Sequence, residues 1–286
     1  MGPDVAETQW LERPRLEQAV REALGTSARL REVELKAHRP GSRAVVRVVV
    51  EDGPQTFELG LKFRARRLAQ VFAGWRTLAE ADIGFSVPEP VALLEERGCI
   101  VFRWVAGEKL TAALRNDEGQ LAATAGAAIR TLHEAPIALR RTFEAGSELS
   151  TLLDWIERAE RSGHPRGEAL RRLAANFDEE LAGHEPLTPG HRDFYPWQVL
   201  ATDPLTLLDL DEAAMCELAL DVGNFVAHLQ VDGLPDAVEP FLSRAVGGDR
   251  RLQQRVELYR RTTLARLSAV YWVRGARKRA LSVPLG

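Results

Sequence analysis

The residue types best suited to chemistry in this chain lie between His191 and Asp211. Asp193 stands in a short polar stretch, Gln198 offers an amide oxygen five residues later, and Asp209 follows an apolar run. One carboxylate can orient and deprotonate an attacking hydroxyl, while the second carboxylate and the amide hold Mg²⁺ against nucleotide phosphates. These are the hard oxygen ligands that Mg²⁺ requires, and no His/Cys cluster in the sequence competes for a softer metal. The stretch therefore predicts phosphoryl transfer.

The first third of the chain is predicted to be rich in strands, with one helix. The strands are expected over residues 33–38, 44–51, 56–63, 91–94 and 99–105, and the helix over residues 66–81. Apolar residues alternate along the third strand, so Gly60 and Lys62 point together to its opposite face. A small residue beside a cation is what a strand facing phosphate would need.

The remainder of the chain is predicted to be mainly helical. Helices are expected over residues 118–135, 149–161 and 167–183, and again from 219 to 280, while residues 187–211 form the loop-and-strand insert that carries the acids. A strand-rich front joined to a helical rear predicts an α+β protein with two lobes, residues 1–105 and 106–286. A cleft is expected at the hinge between them.

Composition excludes several other classes of protein. The net charge of −3 gives no overall attraction to nucleic acid or to an anionic membrane. The beginning of the chain lacks a signal-peptide pattern, and no apolar run approaches the roughly 20 residues that span a bilayer. Cys99 and Cys216 lie in apolar contexts and are expected to be buried free thiols. We therefore expect a cytoplasmic protein without nucleic-acid or membrane partners.

The order of these features resembles the aminoglycoside phosphotransferase and choline kinase-like family, which has the protein-kinase fold. That family's loop reads H-G-D-x-x-x-x-N, and here His191-Arg192-Asp193 begins a stretch that ends in Gln198. Its metal segment resembles residues 208–213, continuing to Asp221, and its A-G-x-x-L-x-x-L-H helix resembles residues 125–133. The resemblance implies a small-molecule kinase that uses ATP, or another nucleoside triphosphate, and Mg²⁺.

The resemblance also implies roles for individual residues around the loop. Asp193 would be the catalytic base, although an Asp that accepts hydrogen bonds within its own turn is an alternative. Asp209 and Gln198 would ligate Mg²⁺, and Asp211 would take a second metal or a substrate cation unless it is a surface charge. Two further residues would brace the loop: His191 and Asp221.

On the nucleotide side, the resemblance implies that Lys62 neutralises the α- and β-phosphates. Glu80 is the candidate acid to pair with Lys62, and a solvated carboxylate at the end of a helix is the alternative for it. The hinge should lie within residues 102–106, so Phe102 and Trp104 are candidate nucleotide contacts. An adenine there requires backbone N–H and C=O groups and apolar walls.

Two departures from the family pattern bear on activity: Gln198 replaces Asn and Arg192 replaces Gly. The expected flap contains only Gly41, a reduced loop that small-molecule kinases of the family often show. The chain also lacks the D-F-G and A-P-E segments of protein kinases, which favours a small-molecule kinase.

The acceptor stays open between an aminoglycoside-like antibiotic, a sugar and an amino alcohol. Ten Arg and Lys residues between positions 250 and 279 favour a neutral or anionic hydroxyl compound if that face lines the acceptor site, but they could equally form a solvated surface. A non-catalytic nucleotide sensor on the same fold is the alternative function. A hydrolase would need a nucleophile elbow that is absent. The protein is expected to be a monomer or a homodimer.

Overall fold

The computed structural model describes residues 11–40, 42–64, 66–180 and 185–285. Gly41, the glycine of the expected flap, lies outside them, as do residues 181–183 of the helix expected to end there. The chain divides into two compact units. The first contains residues 1–80 and 87–106, and the second contains residues 81–86 and 107–286.

The first unit is built on an antiparallel five-stranded sheet. Its elements are α1 (Arg13–Leu24), β1 (Arg29–Arg39), β2 (Arg43–Asp52), β3 (Gln55–Arg64), α2 (Leu68–Ala79), β4 (Pro90–Leu94) and β5 (Cys99–Arg103). The strand order in the sheet is β1-β2-β3-β5-β4. All five expected strands and the expected helix are observed, with ends shifted by a few residues. Strand β3 lies between β2 and β5, so Lys62 is opposite Val45 on one side and Ile100 on the other.

The prediction of a single helix in this part of the chain was wrong, because α1 precedes the sheet. Its apolar residues Leu16, Ala19 and Val20 recur at helical spacing and are buried against the strands. Gly25 ends the helix in the left-handed region, with φ of 66°. Helix α1 thus covers one face of the sheet.

The two faces of β3 differ as the alternation predicted. Leu59 and Leu61 lie in the core beneath α1, whereas Gly60 and Lys62 face the other way. Lys62 is only 6% exposed. A Cβ atom on Gly60 would overlap the ring of Phe102, so packing of that ring already requires glycine at this position.

The second unit is mainly helical. Its elements are α3 (Leu110–Ala113), α4 (Gln120–Glu134), α5 (Ala145–Arg161), α6 (Gly167–Glu180), β6 (Thr188–Gly190), β7 (Val199–Leu200), β8 (Thr206–Leu207), β9 (Ala214–Cys216), α7 (Leu218–Val231), α8 (Val238–Ala245), α9 (Arg250–Val273) and α10 (Arg277–Ser282). Helix α7 is buried over nearly its whole length and packs against α9. A Cβ atom on Gly223 would lie 2.7 Å from Cβ of Tyr259, so glycine permits this close crossing.

Two short antiparallel strand pairs of the second unit position the candidate chemistry. Strands β6 and β9 pair with each other, as do β7 and β8. The latter pair is widened on both sides, by Ser86 next to Thr206 and by Lys109 next to Leu200. The loop of residues 191–198, called the catalytic loop below, joins β6 to β7. None of the described helices is long and apolar enough to cross a membrane.

Candidate active site

The catalytic loop is anchored at both ends by hydrogen bonds that involve backbone groups. The His191 N–H donates to Oδ2 of Asp221 over 2.7 Å, and the His191 ring Nε2 bonds the Leu208 carbonyl over 2.7 Å. The Leu208 N–H donates to the Gln198 carbonyl over 2.8 Å. The two bonds of Leu208 tie the start and end of the loop to residues 208–213, called the metal segment below, and the bond to Asp221 ties its start to α7.

Asp221 organises a buried polar cluster behind the loop. Its Oδ2 also receives the ring Nε2 of His133 at 3.0 Å, and the ring Nδ1 of His133 lies 2.7 Å from Oγ1 of Thr188. A Cβ atom on Gly190 would lie 2.8 Å from both Asp221 Oδ2 and His133 Cε1 and would collide with Cys216 Sγ. Close packing around the acid therefore requires glycine directly before the loop.

The fold creates a His/Cys/Asp group that sequence spacing did not indicate. Ligand atoms of His133, Cys216 and Asp221 lie within 4.8 Å of one another. However, both ring nitrogens of His133 are already in hydrogen bonds. We therefore interpret the group as a structural brace.

Asp193 lies in the catalytic loop and is partly buried. Burial of the carboxyl raises its pKa, and the positive charge of Arg266 opposes that change. Arg266 is held in place by Asn224, since its Nη2 donates to Asn224 Oδ1 over 2.9 Å. The Asn224 amide in turn donates to the Phe194 carbonyl over 2.8 Å. A raised pKa suits a group that takes a proton from a hydroxyl.

Gln198 and Asp209 face each other, with Nε2 of Gln198 3.4 Å from Oδ2 of Asp209. The same amide nitrogen lies 3.3 Å from the Tyr195 hydroxyl. Rotation of the Gln198 amide about its last bond exchanges nitrogen for oxygen. The amide oxygen of Gln198 and the carboxylate oxygen of Asp209 would then lie side by side as metal ligands. These residues therefore fit a hard divalent cation such as Mg²⁺.

Arg192, which replaces the family's glycine, adopts a left-handed backbone with φ of 69°. Its guanidinium pairs with Glu212 of the metal segment and lies 4.0 Å from the ring centroid of Phe143. Glu212 is shared with Arg141, whose Nη2 lies 3.0 Å from the same carboxylate oxygen. The left-handed backbone, normally reserved for glycine, is thus offset by contacts that link the loop to the metal segment.

The structure removes one alternative for Asp211. Its side chain is buried, and its carbonyl accepts a hydrogen bond of 3.1 Å from Arg141 Nη1. The alternative of a surface charge was therefore wrong. Its role toward a second metal or a substrate cation stays a prediction.

Four residues predicted to bind the nucleotide lie in the first unit. Glu80 is 66% exposed and forms an ion pair of 2.9 Å with Arg76, as a carboxylate at a helix end would. Phe102 is buried, with its ring centroid 5.1 Å from that of Trp75. The Trp104 N–H donates to the Glu58 carbonyl over 3.1 Å and is not left for an adenine. Lys62 is buried on β3, and its contact with phosphate stays a prediction.

The basic run between positions 250 and 279 does not form one uncompensated face. Most of its arginines pair with acids from other elements, including Arg251 with Glu185, Arg255 with Glu217, Arg261 with Glu180, Arg266 with Glu148 and Arg279 with Asp232. These acids could not be identified from the local sequence because they lie far from the arginines along the chain. Among these pairs, Arg266 acts on the charge of Asp193.

Sequence reasoning overlooked several residues that shape the site. Asn224, Glu212 and Arg141 hold the loop and metal segment through contacts between residues far apart in sequence. The replacement of glycine by Arg192 was the one available signal, since a side chain at such a position needs a partner. Lys109 carried no signal, yet burial lowers its pKa while the charge of Asp209 acts in the opposite direction.

Comparison with known proteins assigns the class. Residues 34–255 match the model of the phosphotransferase enzyme family. No curated protein sequence matches the chain. Solved structures with a similar fold include a choline/ethanolamine kinase family protein from Mesorhizobium loti, with 19% identity and a TM-score of 0.66 over 88% of each chain.

Two further solved structures show the same fold. The choline kinase LicA from Streptococcus pneumoniae has 15% identity and a TM-score of 0.62, and covers 93% of this chain and 97% of its own. An aminoglycoside 2′-phosphotransferase-IIIa mutant has 14% identity and a TM-score of 0.63, and covers 95% and 94%. The chain belongs to the phosphotransferase enzyme family. The predicted kinase-like α+β fold is confirmed.

Proposed function

We propose that this protein transfers a phosphoryl group from a nucleoside triphosphate, ATP in the first instance, to a hydroxyl of a small molecule. The observation that carries the proposal is the pairing of Asp209 with Gln198, which ends the loop that contains Asp193. Phosphoryl transfer depends mainly on positioning and charge stabilisation, and the bonds that anchor this loop provide positioning. Membership of the phosphotransferase family supports the same reaction.

The residues of the candidate site have separate tasks in this proposal. Asp193 orients the acceptor hydroxyl and accepts its proton, and its raised pKa helps the transfer. Asp209 and Gln198 would hold Mg²⁺, which when bound neutralises charge on the phosphates. His191 and Asp221 would keep the loop in place.

The nucleotide is supported by the family and by a solved relative. The structure of LicA in complex with AMP has a TM-score of 0.63 and 14% identity to this chain. Lys62 would neutralise the phosphates, because an ammonium on β3 can compensate their negative charge. Its replacement by Met should weaken triphosphate binding.

The acceptor is proposed to be a small hydroxyl compound, with the chemical class left to experiment. A reducing cytoplasm suits the two buried free thiols, Cys99 and Cys216. Neither a membrane nor a nucleic acid is required by the proposed reaction, and a monomer or a homodimer could perform it.

One observation favours a second candidate, a nucleotide sensor without catalysis. The family residue Asn is replaced by Gln198, whose longer side chain loses more rotamer freedom when it is fixed on a metal. If Gln198→Asn leaves turnover unchanged or lower, the glutamine is suited to catalysis in this chain. A large gain in turnover would instead favour a degraded enzyme.

The test of the proposed function is detection of product by ³¹P NMR after incubation with ATP and Mg²⁺. The acceptor panel should contain aminoglycosides, sugars, amino alcohols and nucleosides, and Asp209→Ala serves as the inactive control. We expect phosphorylation of at least one acceptor by the wild type and none by the variant. Binding of ATP without transfer to any acceptor would support the sensor instead.

A further inference from the structure

Lys109 is a partly buried cation beside the candidate metal site. It stands directly before α3, and its backbone runs next to Leu200 in the strand pair that follows the catalytic loop. Its ammonium lies 5.7 Å from the centroid of the Trp197 ring. Trp197 directly precedes Gln198, so the ammonium and one candidate metal ligand are brought to the same end of the loop.

The surroundings of this ammonium leave its charge poorly compensated. Burial lowers the pKa of Lys109, and the negative charge of Asp209 only opposes that effect. Within the described residues, no carboxylate lies within ion-pair distance of Nζ, and the ammonium lies over the face of the Trp197 ring. A partly buried cation in this position is stabilised when an anion binds next to it.

Trp197 adds a second unusual feature at the same place. Its side chain is 55% exposed, although a residue of this size usually buries most of its surface. The Trp197 ring is therefore accessible to solvent, and the Lys109 ammonium lies over its face. A lysine on an open surface would instead extend into water and gain nothing from the ring.

We propose that Lys109, held by the face of Trp197, binds the terminal phosphates of the nucleoside triphosphate. This proposal rests on the proposed function, in which Asp209 would hold Mg²⁺ that neutralises charge on the phosphates. Because Lys109 is close enough to Asp209 for their charges to interact, its ammonium would contact the β- or γ-phosphate and not the α-phosphate.

The test is calorimetric titration of the full chain with ATP and with AMP, each in the presence of Mg²⁺. The variants are Lys109→Met, the charge-conserving Lys109→Arg and the control Lys278→Met, which removes an exposed lysine of α10. A hydrogen bond to a charged group corresponds to about a tenfold to hundredfold change in affinity. We expect Lys109→Met to weaken the affinity for ATP by that factor and to leave the affinity for AMP within about twofold of the wild type. The ATP affinity of Lys109→Arg should lie between those of Lys109→Met and the wild type.

Two further readouts separate phosphate binding from a structural role. ATP should change the fluorescence of Trp197, a signal assigned by its loss in Trp197→Phe. The unfolding temperature of nucleotide-free Lys109→Met should equal or exceed that of the wild type, because the variant removes a partly buried charge. A lower unfolding temperature with unchanged ATP affinity would overturn the proposal and make Lys109 a structural counter-ion of Asp209.

The outcomes also separate this proposal from the proposed function. If the wild type binds ATP and Lys109→Met binds it equally well, the phosphate contact is wrong while the kinase function stands. Equal weakening of ATP and AMP would also refute the contact with terminal phosphates. If the wild type binds ATP but transfers no phosphate, the function is wrong and the titrations still decide the role of Lys109. A wild type that binds neither nucleotide would refute both.

Discussion

Arg192 offers the sharpest test of how the catalytic loop is held, because a favourable contact and an unfavourable backbone occur in one residue. Its φ of 69° costs a residue with a Cβ atom about 1 kcal/mol, which glycine avoids. Its ion pair with Glu212 is partly exposed on both sides, so after screening by solvent it stabilises by about 1 kcal/mol or less. The contact with the Phe143 ring adds about 0.5–1 kcal/mol.

Two substitutions separate these contributions. Arg192→Ala loses the contacts and keeps the unfavourable backbone, so it should lower the free energy of unfolding by about 1–2 kcal/mol. Arg192→Gly loses the same contacts but relieves the backbone, so it should be more stable than the alanine variant by about 1 kcal/mol. For a chain of this size, that difference corresponds to about 2–4 °C in apparent unfolding temperature.

The assay is thermal unfolding followed by circular dichroism, with Glu212→Gln and the double variant completing a cycle. The coupling between Arg192 and Glu212 should be up to about 1 kcal/mol, the contribution of their partly exposed ion pair, because the contact of Arg141 with the acid cancels in the cycle. Equal stability of the alanine and glycine variants would refute the left-handed backbone. Zero coupling in the cycle would refute the link between loop and metal segment.

Three further predictions follow from packing and charge. Gly190→Ala places a Cβ atom against Asp221 and Cys216, so it should lower the unfolding free energy by about 2 kcal/mol or more, measured by urea unfolding at pH 7. Burial raises the pKa of Asp193, so kcat/KM should fall on acidification at a pH above the ordinary range of an aspartate. Arg266→Met removes the charge that opposes this shift, so it should move the acidic limb of the kcat/KM profile to higher pH. An acidic limb that does not move would exclude the charge effect. Burial lowers the pKa of His228 to about 3, so the unfolded chain binds one more proton than the folded chain between about pH 6.5 and 3. Stability should decline as pH falls through that window, and His228→Gln should reduce the decline in urea unfolding at pH 7 and pH 5.

Most of the fold could be predicted from short-range patterns of apolar residues. Alternation in β3 correctly placed Gly60 and Lys62 on one face, and helical spacing identified α4 and most of α5. Helix α1 could have been predicted as well, since its apolar spacing and the glycine that ends it are both visible in the sequence. The local sequence therefore contains the signal for this helix.

The candidate site was predictable only where neighbours in sequence are also neighbours in space. The distance between Gln198 and Asp209 depends on the strand pair β7–β8, whose turn brings the two residues back together. Long-range partners were hidden for a physical reason, because a hydrogen bond such as that from Asn224 to Phe194 leaves no periodic pattern. The same holds for the acids that neutralise the arginines of α9.

The most direct test of the central claim is a single-turnover measurement of γ-phosphate transfer from ATP to an identified acceptor, comparing the wild type with Asp193→Asn. The asparagine keeps the shape of the side chain and removes the proton acceptor. We expect the transfer rate to fall by about a hundredfold or more while ATP affinity stays within about twofold. Transfer at the wild-type rate by Asp193→Asn would contradict the assignment of this loop as the site of phosphoryl transfer.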